Sequence, residues 1–270
     1  NVANLVYGAP TVIELLSTQG SPERATLTAA WRGALDRLDA ADSTLSPPER
    51  LNVLRARMLL ARLEEPEAPL PGALLDQARA RVAEVDASIK DGYARHAAIN
   101  ASANLLWEGG LDAEASRLLS AELERSSSPY YFMLDLAELA QRAGREDEAV
   151  AWLERAWDGS RGPATRFQWG YNYLVGLLEM QPEDVATIET AGLAVLGELD
   201  GVPDAFHQRT SMRLGQLSGK LLEWGGDGGD RAAVVERLRS RVGGICKGLP
   251  ANDPGRRNCE AFLAAPSASA

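Results

Sequence analysis

Lysine is nearly missing from this 270-residue chain: Lys90, Lys220 and Lys247 are the only three, so almost all positive charge is arginine. The net charge is -10 and no basic stripe interrupts it. Sequence-independent nucleic-acid binding needs clustered Lys and Arg to neutralise phosphates, so nucleic acid is not an expected partner. No run approaches the ~18 apolar residues of a bilayer-spanning helix. Histidine occurs twice, as His96 and His207, far in sequence from the two cysteines, Cys246 and Cys259. A zinc site there lacks its third and fourth ligands, and no metal is expected. No Ser/His/Asp or Cys/His arrangement, phosphate-binding loop or metal-ligand spacing is present, so neither a catalytic site nor a cofactor is legible. Outside residues 1–20 no segment alternates convincingly as a strand.

What the chain has in quantity is Ala, Leu, Arg and Glu, all good helix formers. It also has an internal repeat. Gly110-Leu-Asp-Ala-Glu-Ala-Ser-Arg-Leu-Leu119 is followed 34 residues later by Gly144-Arg-Glu-Asp-Glu-Ala-Val-Ala-Trp-Leu153. The pairs Ala103/Ala137, Leu105/Leu139, Gly110/Gly144, Glu114/Glu148, Ala115/Ala149, Leu119/Leu153, Ser126/Ser160 and Pro129/Pro163 are identical at that spacing. Helix, Gly turn, helix and Pro with this period form the tetratricopeptide signature. Each Gly sits where a first helix must end, and takes the left-handed cap without steric cost. Small Ala115 and Ala149 allow the second helix to pack closely. Pro129 and Pro163 fit the first turn of the following helix. One hairpin cannot bury its apolar face alone, so neighbours must stack on it. The expected fold is all-α: a right-handed stack of about six helical hairpins, a tetratricopeptide-like α-solenoid.

In chain order, residues 1–20 read as a linker or remnant segment. Pro10 can open a short helix with Val12, Ile13, Leu15 and Leu16 on one face; Gly8 to Ile13 can instead form a proline turn and strand. The repeat array is expected over 21–245, with its clearest repeats at 97–163. Ser21-Pro22-Glu23 and Ser46-Pro47-Pro48-Glu49 are N-cap signatures. A third helix is expected from Gly72 to about Lys90, and Asp91 should cap the next. Phe167, Trp169, Tyr171 and Tyr173 are expected to supply core packing. Pro203 is expected to begin a helix ending near Trp224, and Asp230 one ending near Gly243. Residues 246–264 form a C-terminal cap whose last short helix holds Phe262 and Leu263, and 265–270 a disordered tail. The chain starts at Asn1 without a charged leader and h-region, so any signal peptide is expected to be already gone, and a start without Met reads as a processed or excised piece of a longer protein.

Two cysteines and no others point to a disulfide in an oxidising compartment; two reduced, buried thiols are the alternative. Ser128-Pro-Tyr-Tyr-Phe-Met133, Gly162-Pro-Ala-Thr-Arg-Phe-Gln-Trp-Gly170 and the loop from Cys246 through Cys259-Glu-Ala-Phe-Leu263 resemble the helical C-terminal region of secreted bacterial thioredoxin-family proteins. The resemblance covers roughly residues 21–264. It implies a periplasmic or secreted location and a structural role for Cys246 and Cys259. This chain has no Cys-x-x-Cys and no room for a thioredoxin domain, so the family's redox activity carries over to no residue here.

Placing Gly110 and Gly144 at the turns sets the register of the first helices. Asn104, Glu138 and Asn172 then form one groove-facing row, and Asn100, Leu134 and Gln168 a second. Trp107 and Gln141 form a third, with Tyr131 at the edge. Amides donate and accept at once, so a ladder of them can hold an extended peptide backbone of any sequence. Trp and Tyr add the contact area typical of binding hot spots. A merely solvated polar face would carry the same residues. The basic positions of a carboxylate clamp are absent. The expected function is a protein-interaction scaffold binding a partner or substrate polypeptide. An all-α enzyme with an acidic pocket and a purely structural spacer are the alternatives.

Overall fold

The computed structural model describes residues 8–40, 44–66, 68–202, 205–226 and 228–264. Residues 1–7, Pro203 and the tail expected at 265–270 lie outside them. Thirteen α-helices and no strand occur among the described residues. They fall into two compact units, Asn1–Ser127 and Ser128–Ala270.

The first unit contains α1 (Ala9–Leu16), α2 (Pro22–Ala40), α3 (Pro47–Glu64), α4 (Gly72–Ser88), α5 (Gly92–Glu108) and α6 (Asp112–Glu122). Its helix starts follow from side chains that satisfy the orphan N–H groups of a first turn. Ser21 Oγ accepts from Arg24 N at 3.1 Å, and Asp91 accepts from Ala94 N at 3.0 Å. Ser46 and Glu49 complete a reciprocal capping box, which also holds the Glu49 carboxyl below its ordinary pKa. Helix α1 confirms the helical reading of Gly8–Ile13 but not its single apolar face. Ile13 is fully buried with Leu35, Val53 and Leu60, whereas Leu15 and Leu16 are 78% and 66% exposed. The helix has eight residues, just over two turns, and packs on α2 and α3 through the side that carries Ala9 and Ile13. Helix α3 packs on α4 and α5, and α5 packs on α6, the nearest-neighbour pattern of stacked hairpins.

The second unit contains α7 (Tyr130–Arg142), α8 (Glu146–Gly159), α9 (Pro163–Met180), α10 (Val185–Gly197), α11 (Gln208–Gly225), α12 (Gly229–Gly248) and α13 (Arg256–Glu260). Helix α9 is central, packed on α8, α10 and α11. That explains why Phe167, Trp169, Tyr171 and Tyr173 are all buried although alternate positions on a helix point apart. Three boundaries differ from expectation. Helix α11 begins at Gln208. Helix α12 runs past Gly243 to Gly248, because Val242, Ile245 and Cys246 are buried and outweigh the low helix propensity of its glycines. Phe262 and Leu263 lie in the turn after α13, buried all the same.

The 34-residue repeat is reproduced bond for bond at the two turns. Gly110 N donates to Trp107 O and Gly144 N to Gln141 O, each at 2.9 Å. Leu111 N donates to Leu106 O and Arg145 N to Ala140 O, again at 2.9 Å. The glycine φ angles are +73° and +70°, in the left-handed region that a side chain resists. Ala115 and Ala149 behind them are fully buried.

Candidate functional site

The polar residues of the expected groove divide between the two units. Helix α5 of the first carries Asn100, Asn104 and Trp107, all half-buried. Asn104 Nδ2 donates to Asn100 O at 2.9 Å and to Asn100 Oδ1 at 3.0 Å. The expected free donor of Asn104 is therefore spent within its own helix, where residues four apart are neighbours. What Asn104 can offer an extended backbone is its carbonyl oxygen.

In the second unit, Leu134, Glu138 and Gln141 lie on α7, and Gln168 and Asn172 on α9. Leu134, Gln168 and Asn172 are half-buried; Glu138 and Gln141 are exposed. Tyr131 is 46% exposed. Its ring meets Trp169 edge-on at 5.1 Å and Tyr130 at 5.0 Å, and Tyr130 in turn meets Trp169 at 5.2 Å. This aromatic trio ties the start of α7 to α9 and presents one ring outward. Such edge-to-face contacts hold Tyr131 at little entropic cost for a binding partner. The Glu138 carboxyl has a raised pKa, chiefly from desolvation and opposed by the charge of Arg142.

Sequence reasoning passed over three arrangements. Arg95, Glu122 and Asp86 form a buried ion-pair network in the first unit. In the second, His207 Nε2 lies 3.3 Å from Asp253 Oδ1, beside a cleft of about 380 Å³ bordered by Phe206, Ile245 and Leu249. The third is a pocket between α8 and α10, taken up below. The shared position of Arg95 and Arg166, fourth residue of α5 and of α9, was the legible signal for the first. Among the described residues no group of three or more His, Cys, Asp or Glu side chains is placed to hold a metal ion. No helix there is long and apolar enough to cross a membrane. Cys246 and Cys259 form a disulfide, with Cα atoms 5.7 Å apart.

No protein-family model matches the chain, and no curated protein matches it. Among solved structures it is similar to BtubC (BKLC) from P. vanneervenii, with 14% identity, 93% of this chain and 94% of that chain covered, and a TM-score of 0.43.

Proposed function

We propose that the chain is a protein-interaction module that binds an extended partner or substrate polypeptide on the polar faces of its first helices. The observation that carries this reading is the Tyr131 ring, 46% exposed and met edge-on by Trp169. On the same helix and on α9 stand groups suited to a peptide backbone: the Glu138 carboxylate and the amides of Gln141, Gln168 and Asn172. Asn100, Asn104 and Trp107 offer similar chemistry on the first unit. The resemblance of 128–133, 162–170 and 246–263 to thioredoxin-family helical regions supports a parent carrying a redox domain, to which this module would present polypeptides. The Cys246–Cys259 disulfide supports a periplasmic or secreted location, because such bonds persist in oxidising compartments.

The test uses a permanently unfolded polypeptide, reduced and carboxymethylated α-lactalbumin, labelled for fluorescence anisotropy. Saturable binding is expected. Tyr131→Ala should weaken it roughly tenfold, as hot-spot aromatics do. Replacing Gln168 and Asn172 together with Ala should weaken it further, with circular dichroism unchanged. Affinity unaltered in both variants would end the proposal.

A further inference from the structure

A second pocket lies in the second unit, lined by α8, α9 and α10. It is about 300 Å³ in volume and is formed by Glu154 and Trp157 of α8, Tyr173 of α9, and Thr187, Thr190 and Ala194 of α10. The reason for the hollow is sequence-local. Helix α10 turns small side chains toward α8 there, so the helices leave space that Leu or Ile would fill. Its inner wall is aromatic: the Trp157 and Tyr173 rings stack with centroids 5.7 Å apart and planes at 29°. The Trp157 indole N–H is buried without a hydrogen-bond partner. It faces Gly170, where an added Cβ would lie 3.0 Å from it. Holding the ring there costs an unmade hydrogen bond.

The electrostatics of this pocket have one sign. The Tyr173 hydroxyl donates to Glu154 Oε1 at 3.2 Å. Burial, and then the charges of Glu154, Asp158 and Asp184, raise its pKa far above the ordinary tyrosine value, so the phenol stays neutral. Among the described residues no cationic side chain lines the hollow. Arg166, 5.5 Å from the Trp157 ring centroid, is already engaged by Glu198 at 2.7 Å. An apolar aromatic wall beneath a carboxylate matches a ligand with an alkyl stem and a charged head. An ammonium has three donors for Glu154 and the phenolic oxygen, and its methylenes can lie along the rings.

We propose that the pocket between α8 and α10 binds an alkylammonium group, such as a lysine side chain of a partner chain or a free aliphatic amine. It uses none of the residues assigned above to the extended polypeptide.

The test is a ¹H–¹⁵N NMR titration of the intact chain, following the Trp157 indole resonance, assigned from Trp157→Phe. The probes are Nα-acetyl-lysine methylamide, its neutral counterpart Nα-acetyl-norleucine methylamide, and putrescine. The lysine derivative should give a saturable shift and the norleucine derivative at least about tenfold weaker binding, the loss of one charge-assisted contact. Glu154→Gln, a surface substitution, should weaken the lysine derivative by a similar factor, and Ala194→Leu should fill the hollow and abolish the shift. Tighter binding of the lysine derivative than of putrescine assigns the site to a partner chain; the reverse order assigns it to a free amine. No shift, equal binding of the norleucine derivative, or indifference to Glu154→Gln overturns the proposal. Because Glu154→Gln leaves Tyr131, Gln168 and Asn172 intact, its outcome is separable from the α-lactalbumin experiment.

Discussion

Arg95 grips Glu122 with both arms of its guanidinium, Nε to Oε1 at 2.8 Å and Nη2 to Oε2 at 2.7 Å, and both side chains are about 95% shielded from solvent. Its remaining donors reach Asp86 O, Ile89 O and Asp86 Oδ1, so all five are used. Asp86 and Ile89 stand at the end of α4, nine and six residues before Arg95. Arg166 repeats this in the second unit. It donates to Trp157 O and Ser160 O, again nine and six residues before it, and pairs with Glu198. In both units an arginine in the first turn of one helix closes the orphan carbonyls of the helix before it and ties them to a later helix.

Removing one partner of a buried pair leaves an uncompensated charge. Arg95→Ala should therefore destabilise the first unit by about 3–5 kcal/mol, measured by urea unfolding. Arg95→Lys should recover little of this, since an ammonium cannot make the two-armed contact and reach the carbonyls as well. Arg166→Ala should cost less, about 1–2 kcal/mol, because Arg166 and Glu198 keep 31% and 23% of their side-chain surface in water. Equal costs at the two sites would contradict the burial argument.

The disulfide closes a loop between residues separated by 13 positions, and both cysteines are buried. Loop closure of this size contributes about 3 kcal/mol in the chain-entropy model. Replacing Cys246 and Cys259 together with Ala should make 246–264 the first segment nicked by protease, mapped by mass spectrometry. Complete release is not expected, because Arg239 Nε donates to Leu263 O at 3.0 Å and Leu263 N to Ser218 Oγ at 2.9 Å. Arg239→Ala in the same background should extend cleavage further. Identical digestion of oxidised and cysteine-free chains would remove the staple role.

Two helical glycines should respond with opposite sign to the same substitution. At Gly170 an added Cβ would lie 2.7 Å from Val195 Cγ2 and 3.0 Å from Trp157 Nε1, two side chains with little freedom to give way. Gly170→Ala should destabilise by about 1–3 kcal/mol. At Gly215, inside α11, nothing lies within 4 Å of the new methyl. Gly215→Ala should stabilise by about 0.5–1 kcal/mol through helix propensity alone. Thermal unfolding of both variants decides the matter.

Half-buried His96 has a pKa below its ordinary 6.5, from burial and against the pull of Glu122. A histidine depressed in the folded state binds fewer protons there than in the unfolded chain. Its contribution is therefore present above pH 6.5 and is lost as pH falls below it toward the folded pKa. His96→Gln should flatten the fall in stability between about pH 6.5 and pH 5, read from urea midpoints. An unchanged slope would assign that fall to other groups.

The sequence alone determined the helical class, the caps at Ser21, Ser46 and Asp91, and the two glycine turns 34 residues apart. These depend on neighbours within a few positions, so local chemistry specifies them. It also placed the amides of the first helices on polar faces, because helical register is itself local. Tertiary structure alone decided what those faces can do. Tyr131 on α7 is held edge-on by Trp169 of α9, 38 positions away in sequence. The aromatics of α9 are buried on every side because three helices surround it, which no periodicity of α9 itself can reveal. Partners of Arg95, 27 residues away at Glu122, and of Arg166, 32 residues away at Glu198, are likewise set by packing. The hollow beside Trp157 exists because small residues on α10 meet aromatic ones on α8 and α9. Each segment reads as ordinary helix, and only their approach makes a charged, walled pocket.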